Sequence, residues 1–170
     1  MKSEEFITEE FTKEKGTYAG LHFSKDTIRR MMGYARKNKV PNILGESEFH
    51  STLLYSRKFL PEYEPAGNLD TSLFAIPEAV EIWESPPNAF KKDLTNCLIL
   101  KYKCQEQEDR FDELMTVHEA SYDYDEYKTH VTLSYNVGDL QVEDLTNPAE
   151  IGDMEIIEEY SEELNLDKVF

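Results

Sequence analysis

Two of the four histidines in the chain lie in the same local pattern. His50 and Thr52 lie in the stretch HSTLLYS, His130 and Thr132 lie in HVTLSYN, and both stretches fit the frame His-x-Thr-Leu-x-Tyr. An imidazole has an ordinary pKa of about 6.5, so near neutral pH one copy can act as a base while the other acts as an acid. A threonine hydroxyl can donate to phosphate oxygens on which charge builds in the transition state. The pattern therefore predicts a phosphodiester-cleaving site in which these four residues are catalytic.

Strand geometry brings each histidine together with its threonine. Residues two apart on a strand project from the same face, so Ser51 and Leu53 of one motif, and Val131 and Leu133 of the other, point away from the catalytic side chains. If each half of the chain carries one motif, each can direct an imidazole and a hydroxyl into a shared cleft. No metal or other cofactor is expected, because the two imidazoles supply both proton transfers and no Cys/His/Asp cluster has metal-ligand spacing.

Hydrophobic periodicity and turn residues predict the elements that carry the motifs. Ser24 is predicted to cap a helix with one apolar stripe, and Pro77 to interrupt a β-rich stretch that forms one or two strands. The predicted elements are a strand at 17–23, a helix at 25–39, strands at 49–55, 72–84 and 96–104, a helix at 106–120, and strands at 129–135 and 153–160. This order predicts a duplicated α+β pattern within a single domain, residues 1–170.

The other histidines and the two cysteines have simpler interpretations. His22 and Ser24 form a His-x-Ser sequence, a third and weaker match to the motif, which lacks the Leu-x-Tyr continuation. His118 lies on the apolar stripe of its helix and is interpreted as a core or boundary residue. The odd spacing of Cys97 and Cys104 near one strand puts them on opposite faces, so they are interpreted as free thiols of a reducing cytoplasm.

The chain is strongly acidic, which bears on its partners. Its formal net charge is −17, and residues 139–170 contain eleven Asp or Glu against the single Lys168. Affinity for long nucleic acids depends on Lys and Arg, so a long DNA or RNA partner is not expected. A small anionic ligand is compatible with this charge, because screening limits its reach to about 8–10 Å. The apolar runs are too short to span a bilayer and the acidic N-terminus lacks a secretory signal, so no membrane partner is expected.

Two His-x-Thr motifs, one per half of a duplicated α+β chain, resemble the signature of the two-histidine (2H) phosphoesterase superfamily. Within it, the opening MKSEEFITEEFTKEKGTYAGLHFSKDT and the HSTLLYS and THVTLSYN stretches are most similar to the anti-CBASS nucleases of tailed phages. The resemblance covers most of the chain. It implies a bilobal α+β fold in which two small antiparallel sheets, related by a pseudo-twofold, line a central cleft with helices outside. It also implies that the protein lies in the cytoplasm of the infected bacterium.

The resemblance further implies a reaction and its substrate. These nucleases cleave cyclic di- and trinucleotide signals, such as 3′,3′-cyclic GMP-AMP, without a metal. A 2′-hydroxyl attacks the neighbouring phosphate, and the resulting 2′,3′-cyclic phosphate opens to a linear 3′-phosphate. The catalytic group maps onto the two motifs, while Tyr18, Trp83 and Glu158 match residues that bind the substrate. Stacking of a base on such a ring is worth about 1–3 kcal/mol. Protein partners stay unknown.

Two other interpretations stay open at this point. The chain could be an RNA 2′,3′-cyclic phosphodiesterase or 2′–5′ ligase-like enzyme, although its acidity disfavours a long RNA partner. It could instead be an acidic decoy that mimics DNA, binds a host nuclease and catalyses nothing. The decoy explains the charge but not the duplicated motif. Replacing the motif histidines abolishes the activity of an enzyme, whereas neutralising the acidic stretch 139–170 abolishes that of a decoy.

Overall fold

Six strands and two α-helices lie along residues 15–88 and 91–166, the part of the chain that the structure, a computed structural model, describes. The order is β1 (Lys15–Phe23), α1 (Lys25–Lys37), β2 (Ser51–Ser56), β3 (Gly67–Ser85), β4 (Thr95–Lys103), α2 (Gln105–Val117), β5 (His130–Ser134) and β6 (Met154–Asn165). Short 3₁₀ helices lie at Glu46–Glu48, Val142–Asp144 and Pro148–Ile151. The predicted α+β class and the order of elements are confirmed. The acidic opening 1–14 and Lys168 lie outside the described residues.

Helix α1 begins where the sequence predicts. The Ser24 hydroxyl accepts a hydrogen bond from the Thr27 backbone N–H at 3.2 Å, which satisfies one of the free donors at the helix start. Ile28, Met31 and Ala35 are buried, as the apolar periodicity predicts. They join residues of α2 and of the strands in one hydrophobic core. No helix in the described ranges has the length and hydropathy needed to cross a membrane.

The six described strands form one antiparallel sheet with the order β2-β1-β6-β3-β4-β5. This corrects the expectation of two separate small sheets. Strand β3 joins the two halves, because residues 67–75 pair with β6 and residues 76–85 pair with β4. The register shifts between Pro77 and Ala79, where proline has no N–H to give to the ladder. The proline therefore marks an irregularity inside one continuous strand of 19 residues, and the strand does not end there.

The two motif strands are the two edges of this sheet, yet they lie against each other. The Ser51 hydroxyl donates to the carbonyl oxygen of His130 at 2.8 Å, and the Tyr127 hydroxyl donates to that of Thr52 at 2.9 Å. The sheet therefore curls until its edges meet, and the handed twist of β-strands favours such curling. This brings the start of β2, with His50 just before it, close to the start of β5.

The motif strands have a core side and a cleft side. Leu53 and Leu133 are fully buried in the core that contains both helices. Thr52 and Thr132, one residue earlier on each strand, are only partly buried on the other side. This alternation is the one that the sequence predicts for the two motifs.

Cys104 and His118 lie away from the cleft side of the motif strands, whereas Cys97 lies opposite Trp83 in the β3–β4 ladder and shares its face. Cys97 and Cys104 are free thiols, as predicted. Both are also buried, and burial raises the pKa of both thiols. His118 ends α2 in a partly buried position, with its ring 6.0 Å from that of Tyr63, which fits a boundary residue. His22 lies on β1 and lines a cavity beside the first motif.

Candidate active site

The two motif histidines are held in the same way. Nδ1 of His50 lies 2.9 Å from the carbonyl oxygen of Glu48, and Nδ1 of His130 lies 2.8 Å from the carbonyl oxygen of Lys128. A carbonyl oxygen only accepts, so Nδ1 carries a proton in both rings and Nε2 is the nitrogen that gains or loses one. Each ring can therefore act through Nε2, as a base when neutral and as an acid when protonated.

The two motif threonines differ in their contacts. Thr52 Oγ1 lies 3.1 Å from the hydroxyl oxygen of Tyr18, a residue that is only 9% exposed. Burial raises the pKa of the Tyr18 phenol, so this hydroxyl stays neutral at physiological pH. The Thr132 hydroxyl has no hydrogen-bond partner among residues 15–88 and 91–166. Its proton is therefore free to be donated to an oxygen of a ligand.

The surroundings of His130 favour its neutral form. Its ring centroid lies 4.5 Å from that of Trp83, the only tryptophan in the chain. Burial lowers the pKa of His130; the bond to the Lys128 carbonyl opposes this shift, and the nearby charge of His50 adds to it. His130 is therefore mostly neutral at neutral pH, as a general base must be.

Trp83 is fixed by its neighbours but stays accessible. Its indole N–H donates to the Glu81 carboxylate at 2.8 Å, and that carboxylate lies 3.4 Å from Nζ of Lys101. The indole bond is the main cause that lowers the pKa of Glu81. The ammonium of Lys128 lies 5.9 Å from the centre of the Trp83 ring. The ring is only partly buried, so it can contact a ligand that reaches His130.

Tyr18, Tyr160 and His22 form an aromatic floor beside the first motif. The Tyr160 ring lies 6.1 Å from that of Tyr18 and is stacked on that of His22 at 4.1 Å. Gly20 makes room for this ring, because a Cβ at that position would lie 2.5 Å from it. The aromatic floor lines an open cavity of about 690 Å³ that also contains His50. Cavities of this size hold small organic ligands.

Glu158 borders the aromatic floor. It lies opposite His22 in the β1–β6 ladder, with Oε1 of its carboxylate 2.6 Å from Nδ1 of that ring. No group in the described ranges donates to the other carboxylate oxygen, and the side chain is 35% exposed. This oxygen can therefore accept from a ligand. The next residue, Glu159, is 3% exposed and is bound to Arg110 on the core side.

The residues predicted for the site lie in two groups around the meeting edges of the sheet. His50, Thr52 and Tyr18 line the cavity and form the first group, and Glu158 lies outside the cavity lining, beside His22. His130, Thr132 and Trp83 form the second group. Sequence reasoning missed His22 and Tyr160. His22 had a signal, since strand alternation puts it on the face of Tyr18; Tyr160 had none, because its place depends on the β1–β6 register. No group of three or more His, Cys, Asp or Glu side chains within the described residues is arranged to hold a metal ion.

Comparison with known proteins decides the family. The family model described as Anti-CBASS protein Acb1 matches residues 15–169, a range that contains both His-x-Thr motifs and the aromatic floor. The chain belongs to the Anti-CBASS protein Acb1 family.

Two relatives that carry the name Anti-CBASS protein Acb1 show how far the similarity extends. The protein of Vibrio phage KVP40 is 28% identical over 160 residues, which cover 94% of this chain and 94% of its own. The protein of Enterobacteria phage T4 is 30% identical over 157 residues, which cover 89% of this chain and 90% of its own. Similarity to the Anti-CBASS protein Acb1 family therefore spans the whole described fold.

Proposed function

We propose that the protein is a metal-independent phosphodiesterase that cleaves cyclic oligonucleotide signals and thereby counters CBASS defence. The observation that carries the proposal is the matched pair of imidazoles, each with Nδ1 bonded to the carbonyl two residues before it. This pair supplies an acid and a base with defined reactive nitrogens. The family, named for its opposition to CBASS, supports the biological purpose.

In the first step, neutral Nε2 of His130 takes the proton of a ribose 2′-hydroxyl while that oxygen attacks the adjacent phosphorus. The bond from phosphorus to the 5′ oxygen breaks, and protonated His50 gives its Nε2 proton to the departing oxygen. The ring of the substrate is now open and ends in a 2′,3′-cyclic phosphate. The lowered pKa of His130 supports its role as the base of this step.

The second step uses the same groups in reverse. Neutral His50 takes a proton from water while the water oxygen attacks phosphorus, and protonated His130 returns its proton to the departing 2′ oxygen. The product is a linear oligonucleotide with a 3′-phosphate, and both histidines regain their starting states. In both steps Thr52 and Thr132 donate to the non-bridging oxygens, where negative charge builds.

The bases of the substrate bind to two aromatic surfaces in this proposal. The aromatic floor, which includes Tyr18, takes one base by stacking, and Trp83 takes another beside His130. The Glu158 oxygen that His22 does not hold accepts hydrogen bonds from the edge of a base. Stacking tolerates several bases, so the site suits more than one cyclic nucleotide.

The strand connections support a pseudo-twofold relation between two lobes. In the first lobe β1 is followed by α1 and by β2, which pairs with β1; in the second β4 is followed by α2 and by β5, which pairs with β4. Each lobe thus contributes one strand–helix–strand unit whose last strand carries the motif. The cleft between the lobes is where a bilobal 2H phosphoesterase binds its substrate.

Size and charge favour a small cyclic substrate over a long nucleic acid. The cavity of about 690 Å³ suits a ligand of dinucleotide size in an open cleft. A net charge of −17 repels a long polyanion, whose binding depends on many basic contacts. The local cations near the second motif, Lys101 and Lys128, offset part of this charge where the phosphate binds.

The proposal is tested by incubating the protein with 3′,3′-cyclic GMP-AMP in EDTA and resolving the products by chromatography and mass spectrometry. We expect a transient 2′,3′-cyclic phosphate and then a linear dinucleotide with a 3′-phosphate. A strict requirement for a divalent ion contradicts the two-histidine mechanism. Intact cyclic substrate, with cleavage of RNA 2′,3′-cyclic ends instead, assigns the site to RNA-end chemistry.

The pH dependence of kcat/KM is expected to be bell-shaped. As pH falls through the lowered pKa of His130, the base becomes protonated and activity is lost, so the acid limb is expected below pH 6.5, the ordinary value for histidine. As pH rises, the acid loses its proton and activity falls again. Rates measured in EDTA from about pH 4.5 to pH 9 locate both limbs. An acid limb above the ordinary histidine value contradicts the role of His130 as base.

Replacement of Trp83 by alanine is expected to raise KM by roughly 5- to 100-fold with a smaller effect on kcat, because one stacking surface is lost. Trp83→Phe keeps a ring and is the matched control, with a smaller rise in KM. Both variants are compared on 3′,3′-cyclic GMP-AMP. If Trp83→Ala lowers only thermal stability and leaves KM unchanged, Trp83 is a packing residue and not a binding surface.

A further inference from the structure

A buried polar cluster lies directly behind the two motif strands, and the proposed mechanism does not use it. Ser51, Tyr102 and Gln107 are at most 2% exposed, although each carries polar groups and is surrounded by the hydrophobic core. Tyr127 joins them, with its ring stacked on Phe111 at 4.0 Å. Burial of polar groups costs stability unless they are hydrogen-bonded, so an apolar core would be simpler to build here.

The cluster is bonded to the backbone of both motifs. Ser51 Oγ donates to the carbonyl oxygen of His130 at 2.8 Å, and the Tyr127 hydroxyl donates to the carbonyl oxygen of Thr52 at 2.9 Å. The first bond therefore starts within one motif and the second starts just before the other, and each ends on the opposite motif.

Gln107, on α2, links these two bonds. Its Nε2 lies 3.2 Å from Ser51 Oγ and 2.8 Å from the Tyr127 hydroxyl. The hydroxyl oxygen of Tyr102 lies 2.6 Å from both Ser51 Oγ and Gln107 Oε1. The four side chains thus form one connected group, whose members fix one another.

The two motif strands are not held together by a backbone hydrogen-bond ladder between them. Strands β2 and β5 stand at opposite ends of the strand order, and in the described residues no β-bridge pairs one with the other. Two edge strands that meet without a ladder can slide or separate unless side chains tie them. The bonds made by Ser51 and Tyr127 are therefore direct polar links between the two motifs. The backbone bond from Leu44 to Leu133 also reaches β5, but it starts from the segment before β2.

We propose that Ser51, Gln107, Tyr102 and Tyr127 are positioning residues that hold His50 and His130 at the separation needed for paired proton transfer. The inference rests on the proposed function, because it assumes that both imidazoles act on one phosphate. A displacement of about 1 Å in a catalytic group can lower a rate by about 10²-fold. The group acts through the backbone of the motifs and does not touch the substrate.

The test compares Ser51→Ala and Tyr127→Phe with Ser134→Ala. Each of the first two variants removes one hydroxyl, and Tyr127→Phe keeps the ring stacked on Phe111. Ser134 is the matched control, since it is a fully buried serine on β5 whose hydroxyl donates to a backbone carbonyl, that of Pro41, at 2.7 Å. Its bond does not join the two motif strands.

On 3′,3′-cyclic GMP-AMP, Ser51→Ala and Tyr127→Phe are expected to lower kcat by about 10- to 100-fold with KM changed by less than about 3-fold. Ser134→Ala is expected to lower thermal stability to a similar degree but to keep kcat within about 3-fold of the wild type. Equal kcat in the wild type, Ser51→Ala and Tyr127→Phe overturns the inference. A fall in kcat of the same size in Ser134→Ala also overturns it, since the effect then follows from stability alone.

A second readout needs no substrate and separates this inference from the proposed function. The NMR chemical shifts of the protons on Cε1 of His50 and His130 report the surroundings and the protonation of each ring. Both signals are expected to shift in Ser51→Ala and Tyr127→Phe, and to move less in Ser134→Ala. An inactive wild type whose signals show this pattern refutes the proposed function and keeps the positioning role. Unshifted signals in an active protein refute the positioning role alone.

Discussion

Replacement of His50 or His130 by alanine is expected to lower kcat on a cyclic dinucleotide by about 10²- to 10⁴-fold. Each variant loses one of the two proton carriers, and the neighbouring threonines can donate hydrogen bonds but cannot exchange protons near neutral pH. The double variant is expected to be little slower than the slower single variant, because the two groups act as a unit. Steady-state rates on 3′,3′-cyclic GMP-AMP in EDTA measure all three.

His118→Ala is the matched control for this experiment. It removes the same ring from a partly buried site at the end of α2, outside the cleft, where it contacts Tyr63. Full activity in His118→Ala together with its loss in the motif variants assigns the loss to the paired site. Full activity in all of the variants contradicts the two-histidine mechanism. Absence of turnover even in the wild type favours the acidic decoy, whose function would depend on the carboxylates of residues 139–170.

The pairing of side chains within each motif was predictable because it depends on local geometry alone. A period of two residues puts Thr52 and Thr132 on one side and Leu53 and Leu133 on the other, whatever the rest of the chain does. The structure has this arrangement, with the leucines fully buried and the threonines partly exposed. The bonds from the histidine rings to the carbonyls two residues earlier are equally local, and they recur in both motifs.

The single curled sheet was not predictable in the same way. Pro77 marks a backbone that cannot donate, but the sequence does not say whether a strand ends there or shifts its register. Strand β3 continues because β6 and β4 offer partners on either side of the proline. The position of Tyr160 follows from the same long-range register, with Gly20 opposite it on β1. Pairings of this kind depend on the whole fold.

One signal in the sequence pointed to the buried polar cluster. The two motifs match closely, yet the core-facing residue after the histidine is Ser51 in one and Val131 in the other. A serine at a position that strand alternation assigns to the core needs a buried partner. Gln107 gives the same signal, since it lies on the side of α2 that also buries Leu114. The partners themselves are visible only in the structure.

Two neighbouring glutamates on β6 are expected to give opposite results when each is replaced by alanine. Glu159 is buried and accepts hydrogen bonds from Arg110, at 3.0 and 2.9 Å, and from the hydroxyl of Tyr63, at 2.8 Å. Glu159→Ala leaves the guanidinium and the phenol without their partner. Because Arg110 is 24% exposed, the loss is expected near the lower end of the range for broken buried pairs, about 3 kcal/mol in the free energy of unfolding.

Glu158→Ala removes the same charge from the next position, so it is the matched control for both charge and strand. Its pair with His22 is partly exposed, and its loss is expected to cost less than about 1 kcal/mol of stability. It is expected instead to raise KM for the cyclic dinucleotide, because the carboxylate borders the aromatic floor. Urea unfolding and steady-state kinetics on both variants measure the contrast. A large loss of stability in Glu158→Ala with unchanged KM would contradict the division of β6 into a core side and a substrate side.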